Sequence, residues 1–231
     1  MQAAPGTEEV APRRSTYRHG DLYRALLAAG TELARDGGPA AVVLRKATRM
    51  VGVAPNAAYR HFTDRQALLH AVCEAAQSDL ATAIEAEMAA LPSGDDPPER
   101  ALDRLRAVGT GYLRFARAEP GLFRTAVSVP ADMLTAGAEG KRGRGGRTPF
   151  EMLGDAVDEL VTAGVLPADR RPEAEFLAWS AVHGLAMLLI DGPLRMVPDS
   201  RAHEIGQRLL DMVERGLPVV RPITAGRPGP V

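Results

Sequence analysis

Residues 45–65 concentrate side chains that are rich in hydrogen-bond donors. Three of them carry donor groups that match the edges of guanine and adenine: Arg45, Asn56 and Arg60. Four others carry donors of the kind that bind phosphate oxygens: Lys46, Tyr59, His61 and Arg65. This combination predicts a surface that contacts both the bases and the backbone of a DNA duplex.

The segment 44–62, which carries most of these side chains, predicts two short helices with Gly52 at the turn between them. Pro55 suits the first position of the second helix, where its missing N–H is not needed. The arrangement is a helix-turn-helix, whose second helix of about two turns fits a major groove. Pro55 and Ala57 therefore join the predicted DNA-contacting residues. On the first helix, the residues expected to pack are Ala47, Met50 and Val51.

A long helix is predicted directly after this motif. Thr63 and Gln66 have the spacing of a capping box, so Thr63 is the expected N-cap. Arg65 then lies in the first turn, from which it can reach a phosphate. Taken singly, Tyr59 and His61 would be ordinary residues of a small three-helix core and Arg65 a solvated charge. Their order and spacing together favour contact with DNA.

Cations are concentrated in the same part of the chain. Residues 13–66 hold ten Lys and Arg against four Asp and Glu, whereas the remainder holds 18 against 25. A basic N-terminal quarter on an acidic body suits a protein that binds DNA through one face. Chance asymmetry is the alternative, but the basic segment coincides with the motif.

Two flanking segments make this run similar to a known family. Residues 21–38 resemble the family's first helix, which ends at a Gly37–Gly38 stop and has a core-facing stripe of Leu22, Leu26, Ala29 and Leu33. Residues 59–69 resemble its most recognisable string, a tyrosine, any residue, a histidine, then an aromatic or aliphatic residue and a polar turn. From about residue 18 to 216 the chain is thus similar to the tetracycline-repressor (TetR) family of transcriptional regulators.

The chain departs from the family pattern at two helix starts. Val43–Leu44 stands where many relatives have serine or threonine, so a hydroxyl contact to phosphate is absent there. Ala54 precedes the second helix and offers no capping oxygen. These departures weaken individual contacts, whereas the cations at positions that touch DNA in relatives are retained.

The chain has 231 residues, and its apolar content of 45% is enough for a sizeable core. Its pattern of apolar residues predicts an all-α fold. The expected organisation is a flexible tail (1–14), a three-helix DNA-binding domain (15–66), a helical effector-binding and dimerisation domain (67–216) joined to it by a long helix, and a second tail (217–231). Residues 130–149, rich in glycine and arginine, predict a mobile linker, with single-stranded RNA contact as the less favoured alternative.

The sequence shows neither a membrane span nor a signal peptide, which favours a location in the cytoplasm. The single cysteine, Cys73, is expected to be a small buried hydrophobe and not a thiol sensor.

The segment 172–194 is apolar nearly all round, so its helix is expected to be covered on both sides. Residues 179–184 resemble the tryptophan-histidine-glycine pattern of one class of TetR regulatory domains. The helix over 200–215 has one apolar stripe at Ile205, Leu209 and Met212. In the family the last two helices of each subunit form a four-helix interface, and the resemblance therefore implies a homodimer.

Aromatic and methionine side chains in the C-terminal part suit a small-molecule cavity, and they suit a plain core equally well. The candidate ligand-binding residues are Tyr112, Phe115, Phe123, Met152, Trp179 and His183. A histidine on a buried helix, such as His183, is more often a hydrogen-bonded core or interface residue than a ligand-binding residue. The pocket interpretation predicts a mainly apolar, planar or aromatic effector.

The sequence contains no nucleophile elbow, no phosphate-binding glycine loop, and no cysteine or histidine spacing typical of a metal site. We therefore expect no catalytic residues, no metal and no cofactor. The predicted function is a ligand-responsive transcriptional regulator, more in keeping with a repressor than an activator, that binds a palindromic DNA operator. The alternative is a helical small-molecule carrier or interaction protein with a vestigial helix-turn-helix.

Overall fold

The computed structural model describes residues 19–128 and 139–218, which form nine α-helices and two short 3₁₀ turns. The helices are α1 (His19–Ala41), α2 (Leu44–Val51), α3 (Pro55–Ala58), α4 (Arg65–Ala89), α5 (Pro97–Ala118), α6 (Pro120–Ala126), α7 (Pro149–Thr162), α8 (Ala174–Ile190) and α9 (Asp199–Gly216). The 3₁₀ turns are Glu139–Lys141 and Ala168–Arg170. These two ranges contain no strand, and the all-α prediction is confirmed. The predicted tail 1–14 and residues 219–231 of the second tail lie outside the described residues.

The helix-turn-helix follows from backbone conformations that its sequence favours. The helical path of α1 is broken at Gly37–Gly38, where Gly38 has a φ of 66°, as the predicted stop requires. Gly52 ends α2 in the left-handed region with a φ of 73°. Val43 and Ala54 precede α2 and α3 without any side-chain capping bond, as the departures from the family pattern predict.

Three local predictions around this motif are wrong. Met50 is 55% exposed, because the packed side of α2 is formed by Leu44, Ala47 and Thr48 and Met50 points away from it. Helix α3 has four residues and not two turns, since the Ala58 carbonyl accepts from both residue 61 and residue 62 and closes the helix there. The N-cap of α4 is Asp64 and not Thr63, because a carboxylate oxygen of Asp64 accepts the Ala67 N–H at 2.8 Å.

Helix α4, about 37 Å long by helical rise, connects the helix-turn-helix to the rest of the chain. Its buried residues include Leu68, Val72, Ala76 and Leu80. Cys73 is buried too, with its sulfur 3.4 Å from the Ala126 carbonyl oxygen. The α4 core is continuous with that of α1, α5 and α6, so both predicted domains share one hydrophobic core.

Residues 139–149 form an anchored loop, so the mobile-linker prediction is wrong for this part, while residues 130–138 lie outside the described ranges. The Glu85 carboxylate on α4 accepts the backbone N–H groups of Arg144 and Gly145 at 3.0 and 2.9 Å. Ser78 on α4 donates to the Arg142 carbonyl at 2.7 Å. Two arginines of the loop, Arg142 and Arg147, pair with carboxylates of α7, which leaves less free charge for RNA contact.

Helices α8 and α9 expose apolar side chains on their outer side. The inner side of α8 is buried through Ala178, Val182 and Leu185. On the outer side, Leu177 and Leu188 are 65% and 44% exposed, so the described residues of a single copy do not supply the expected second cover. On α9, Met212 is exposed while Ile205 and Leu209 are half-buried. We call this surface the α8–α9 face, formed by Leu177, Leu188, Ile205, Leu209 and Met212. No helix of the described residues could span a membrane.

Candidate nucleic-acid interface and effector cavity

Helices α2 and α3 present the predicted DNA-contacting side chains to solvent. On α2, Arg45 and Lys46 are exposed. On and after α3, the exposed residues are Pro55, Asn56, Tyr59 and Arg60, whereas Ala57 and His61 are half-buried. Their packed counterpart Ala58 is fully buried and fixes α3 against the core. The geometry therefore brings base-reading and phosphate-binding types together on one outer surface.

Arg49 belongs to the same surface, although sequence reasoning did not select it. It is exposed and lies four residues after Arg45, so both guanidinium groups project from one side of α2. The i, i+4 spacing of two arginines was the signal that could have identified it. The free cations of the motif are therefore Arg45, Lys46, Arg49 and Arg60.

These four cations form no ion pair with the described residues. In the body of the protein, by contrast, many arginines are paired with carboxylates. Examples are Arg35 with Glu119 at 2.9 Å and Arg106 with Asp211 at 2.6 Å. Unpaired cations on a protruding motif keep their full attraction for phosphate.

Arg65 is held by the protein itself. Its guanidinium donates to the Val42 carbonyl at 2.8 Å and to the Pro39 carbonyl at 2.7 Å. These bonds tie the start of α4 to the end of α1 and to the residues that join α1 to α2, which fixes the angle at which α2 leaves α1. The structure thus gives Arg65 a positioning role, and the phosphate contact predicted for it stays a prediction.

A cavity of about 280 Å³ lies in the C-terminal part, between α4, α5, α7, α8 and α9 and the 139–149 loop. Its volume lies slightly below the range of about 300–1,000 Å³ that is typical of small-molecule sites, so it suits a compact ligand. Most of the wall is aliphatic or aromatic, and the wall includes Tyr112, Trp179 and His183. Three of the six candidate ligand-binding residues therefore line one cavity.

Phe115, Phe123 and Met152 do not line this cavity, and the ligand contact predicted for them stays a prediction. Phe123 is fully buried and packs edge-on against Tyr112, with ring centroids 5.2 Å apart. Met152 is buried, and Phe115 faces a separate groove beside α9. A different phenylalanine, Phe150 at the start of α7, lies on the cavity wall.

Tyr112, Trp179 and His183 form a hydrogen-bonded group. The indole N–H of Trp179 donates to the Tyr112 hydroxyl oxygen at 3.2 Å, and that hydroxyl lies 2.9 Å from Nδ1 of His183. Burial lowers the pKa of His183 and raises the pKa of Tyr112, so both are neutral near pH 7. Because the Tyr112 hydroxyl oxygen already accepts from Trp179, and Nδ1 of His183 is the acceptor that the described residues offer its proton, we assign that proton to the hydrogen bond with Nδ1 and the proton of neutral His183 to Nε2. Within the described residues Nε2 has no hydrogen-bond partner.

The remaining polar side chains of the wall are Gln77, Lys141 and Thr148. The Gln77 side-chain amide donates to the Ala126 carbonyl at 2.8 Å, and the Thr148 hydroxyl oxygen caps α7 by accepting the backbone N–H of Glu151. Among the described residues of the wall, Lys141 is the only one with a charged side chain, and it forms no ion pair with the described residues. The described residues contain no cluster that could hold a metal ion.

Helix α6 lies between this cavity and the DNA-binding part. Its Ala126 lines the cavity, and its Phe123 supports Tyr112 from behind. On its other side Gly121 packs against α1, where an added Cβ would stand 2.2 Å from the Arg35 carbonyl oxygen. Because α6 and α1 are in direct contact at Gly121, a shift of α6 would displace the C-terminal part of α1.

Two protein-family models match the chain. The model for bacterial regulatory proteins of the tetR family matches residues 26–72, and the model for the tetracyclin repressor-like C-terminal domain matches residues 105–213. Together they cover about two thirds of the chain. Neither description names the tryptophan-histidine-glycine class, which stays a prediction.

Solved structures share the fold. A protein with unknown function from Rhodococcus sp. RHA1 is 27% identical, with a TM-score of 0.68 over 89% of this chain and 100% of that one. A regulatory protein in the tetR family from Rhodococcus RHA1 is 19% identical, with a TM-score of 0.53 over 87% and 98%. The TetR family transcriptional regulator PfmR from Thermus thermophilus is 20% identical, with a TM-score of 0.53 over 82% and 97%. The comparison with curated proteins gives no match.

Proposed function

Because this chain belongs to the TetR family of transcriptional regulators, we propose that it acts as a repressor whose homodimer leaves a palindromic operator when a small molecule fills the cavity. The observation that carries this proposal is the set of four exposed cations, Arg45, Lys46, Arg49 and Arg60, without partners among the described residues. In a vestigial motif that no longer binds DNA, nothing would favour four exposed cations without ion partners. The proposal places the protein with DNA in the cytoplasm.

The dimer supplies the geometry for a palindrome. Two copies joined through the α8–α9 face would present two α3 helices to successive major grooves, about 34 Å apart. Any change in the separation of the two motifs then lowers operator affinity, because both can no longer engage at once.

The effector would act through α4 and α6. Helix α4 lines the cavity at Gln77, Leu80 and Ile84 and leads directly into the Asp64 cap and the Arg65 bonds. Helix α6 connects the same cavity to the end of α1 through Gly121. A ligand that displaces either helix shifts the frame on which α2 and α3 are mounted, and ligand and operator thereby compete.

We expect Arg60→Ala to reduce discrimination between the preferred duplex and one altered in a half-site by about 1–3 kcal/mol, since a base contact is lost. Lys46→Ala should weaken all duplexes similarly and reduce the salt slope by about one. Selection of duplexes from random DNA, followed by binding titrations at several salt concentrations, measures both effects. Arg195→Ala, which removes an exposed arginine after α8, is the control and should change neither quantity. Absence of salt-sensitive binding to every selected duplex would refute the proposal.

A second prediction concerns His183. We expect His183→Asn to retain an acceptor for the Tyr112 hydroxyl and to lose the free Nε2–H, so that a compound which quenches Trp179 and releases operator in the wild type acts about tenfold less well. Trp179 is the only tryptophan, so its fluorescence reports on this cavity alone. His183→Ala additionally leaves the hydroxyl without an acceptor and should lower the free energy of unfolding by about 1–3 kcal/mol. Loss of operator binding by His183→Asn without any compound would show that the residue serves the fold and not the cavity.

A further inference from the structure

Resting on the proposed function, we propose that the effector is an organic acid: a compact apolar, preferably aromatic, body that carries one carboxylate, which pairs with Lys141. This extends the expectation of a mainly apolar effector by giving it a charge and a point of attachment. The proposal depends on the composition of the cavity wall and on the anchoring of the loop that carries Lys141.

Among the described residues of the wall, one side chain carries a formal charge, and it is positive. Lys141 is half-buried, lines the cavity and forms no ion pair with the described residues, and the described wall residues include no aspartate or glutamate. An apolar cavity disfavours a lone ion, so a ligand anion beside Lys141 would satisfy a charge that the described residues leave unmatched. A neutral or cationic ligand would leave it unmatched or add repulsion.

The hydrogen-bonding group adds a second donor. Because Tyr112 uses its proton on Nδ1 of His183, the Nε2–H of His183 is the remaining donor of that group. An ammonium and an imidazole N–H on the wall both require acceptor atoms from the ligand. Carboxylate oxygens offer acceptors for both, whereas the aliphatic and aromatic remainder of the wall suits the apolar body.

The position of Lys141 is set by contacts with α4. The loop that follows it is held by Ser78 and by the Glu85 carboxylate, as described above. Capture of an anion by Lys141 therefore acts on a loop attached to the helix that leads to the DNA-binding motif. The same contact that selects the ligand would transmit its presence.

The test uses paired compounds that differ only in charge. Phenylalkanoates from 3-phenylpropanoate to 6-phenylhexanoate are titrated into the full-length protein by calorimetry, each beside the phenylalkanol of equal chain length. We expect at least one acid to bind about tenfold more tightly than its alcohol. Lys141→Gln should remove that preference by weakening the acid alone, and Lys141→Arg should retain it. Arg144→Gln removes an exposed cation of the same loop that is not on the cavity wall, and it should behave as the wild type.

Three results would overturn the inference: alcohols that bind as well as acids, an acid preference that survives Lys141→Gln, or no binding by any compound of the series. Duplex selection is carried out with the same wild-type preparation. A protein that selects a duplex but shows no acid preference refutes only this inference. A protein that prefers acids but selects no duplex refutes the proposed function and leaves the chemistry of the cavity standing.

Discussion

Leu188→Glu is expected to convert the proposed homodimer into a monomer and to lower operator affinity at least about a hundredfold. In a two-fold dimer the substitution is present twice, on facing α8 helices, and it places unpaired carboxylates in an apolar interface. An unpaired buried charge costs about 3–5 kcal/mol, which exceeds a factor of one hundred in an equilibrium constant. Leu188 is 44% exposed in the single chain, so the folded monomer itself tolerates the change.

Sedimentation at micromolar concentration measures the mass, and titration with the selected duplex measures the affinity. Ala89→Glu, which introduces the same charge at an exposed position of α4, is the control and should leave the mass unchanged. A wild type that sediments as a monomer, or a Leu188→Glu variant that remains dimeric, would show that the α8–α9 face is not the interface.

Gly121→Ala is expected to separate α6 from α1, to lower the free energy of unfolding by about 3 kcal/mol and to weaken operator binding. The added Cβ would meet the carbonyl oxygens of Arg35 and Ala34 at 2.2 and 2.4 Å, and both are backbone atoms that cannot rotate away. Overpacking of this kind costs about 1–3 kcal/mol, and contact with backbone places this site at the upper end. Because the displaced end of α1 carries the segment that leads to α2, the motif should also lose its orientation.

Denaturant unfolding and operator titration measure the two effects. Gly154→Ala on α7 is the matched control, since its nearest neighbouring atom would be a guanidinium nitrogen of Arg171 at 4.0 Å. There the greater helix propensity of alanine should raise stability slightly. Equal stability of Gly121→Ala and the wild type would mean that α6 and α1 are not tightly packed in solution, and the proposed route from cavity to DNA through α6 would fail.

The DNA-binding part could be predicted well because its determinants are local. A glycine at the turn, a proline at a helix start and the order of residues 59–62 specify the motif within about twenty positions. The errors are equally local: Thr63 and Asp64 are both good N-caps, and only the structure shows which oxygen accepts the bond. The length of α3 depends on a shared acceptor, the Ala58 carbonyl, which no pattern of side chains indicates.

The cavity could be predicted only in part, because its walls meet through long-range packing. Phe123 and Phe150 look alike in the sequence, but the first fills the core behind Tyr112 and the second faces the cavity. Lys141 falls within the predicted linker because glycines surround it. The carboxylate that orders its loop, Glu85, lies 59 residues before Arg144, beyond the reach of any local pattern.

Arg45, Arg49 and Arg60 are exposed and form no ion pair with the described residues, which has a consequence for divergence among related genes. Exposed side chains without structural partners change stability by only about half a kcal/mol when replaced. If these residues contact the operator as proposed, substitutions at these positions would retarget the protein to another operator while its core and its cavity remain intact. The residues that hold the frame, Gly121 and Arg65, lack this freedom, so recognition of DNA can evolve separately from the machinery that controls it.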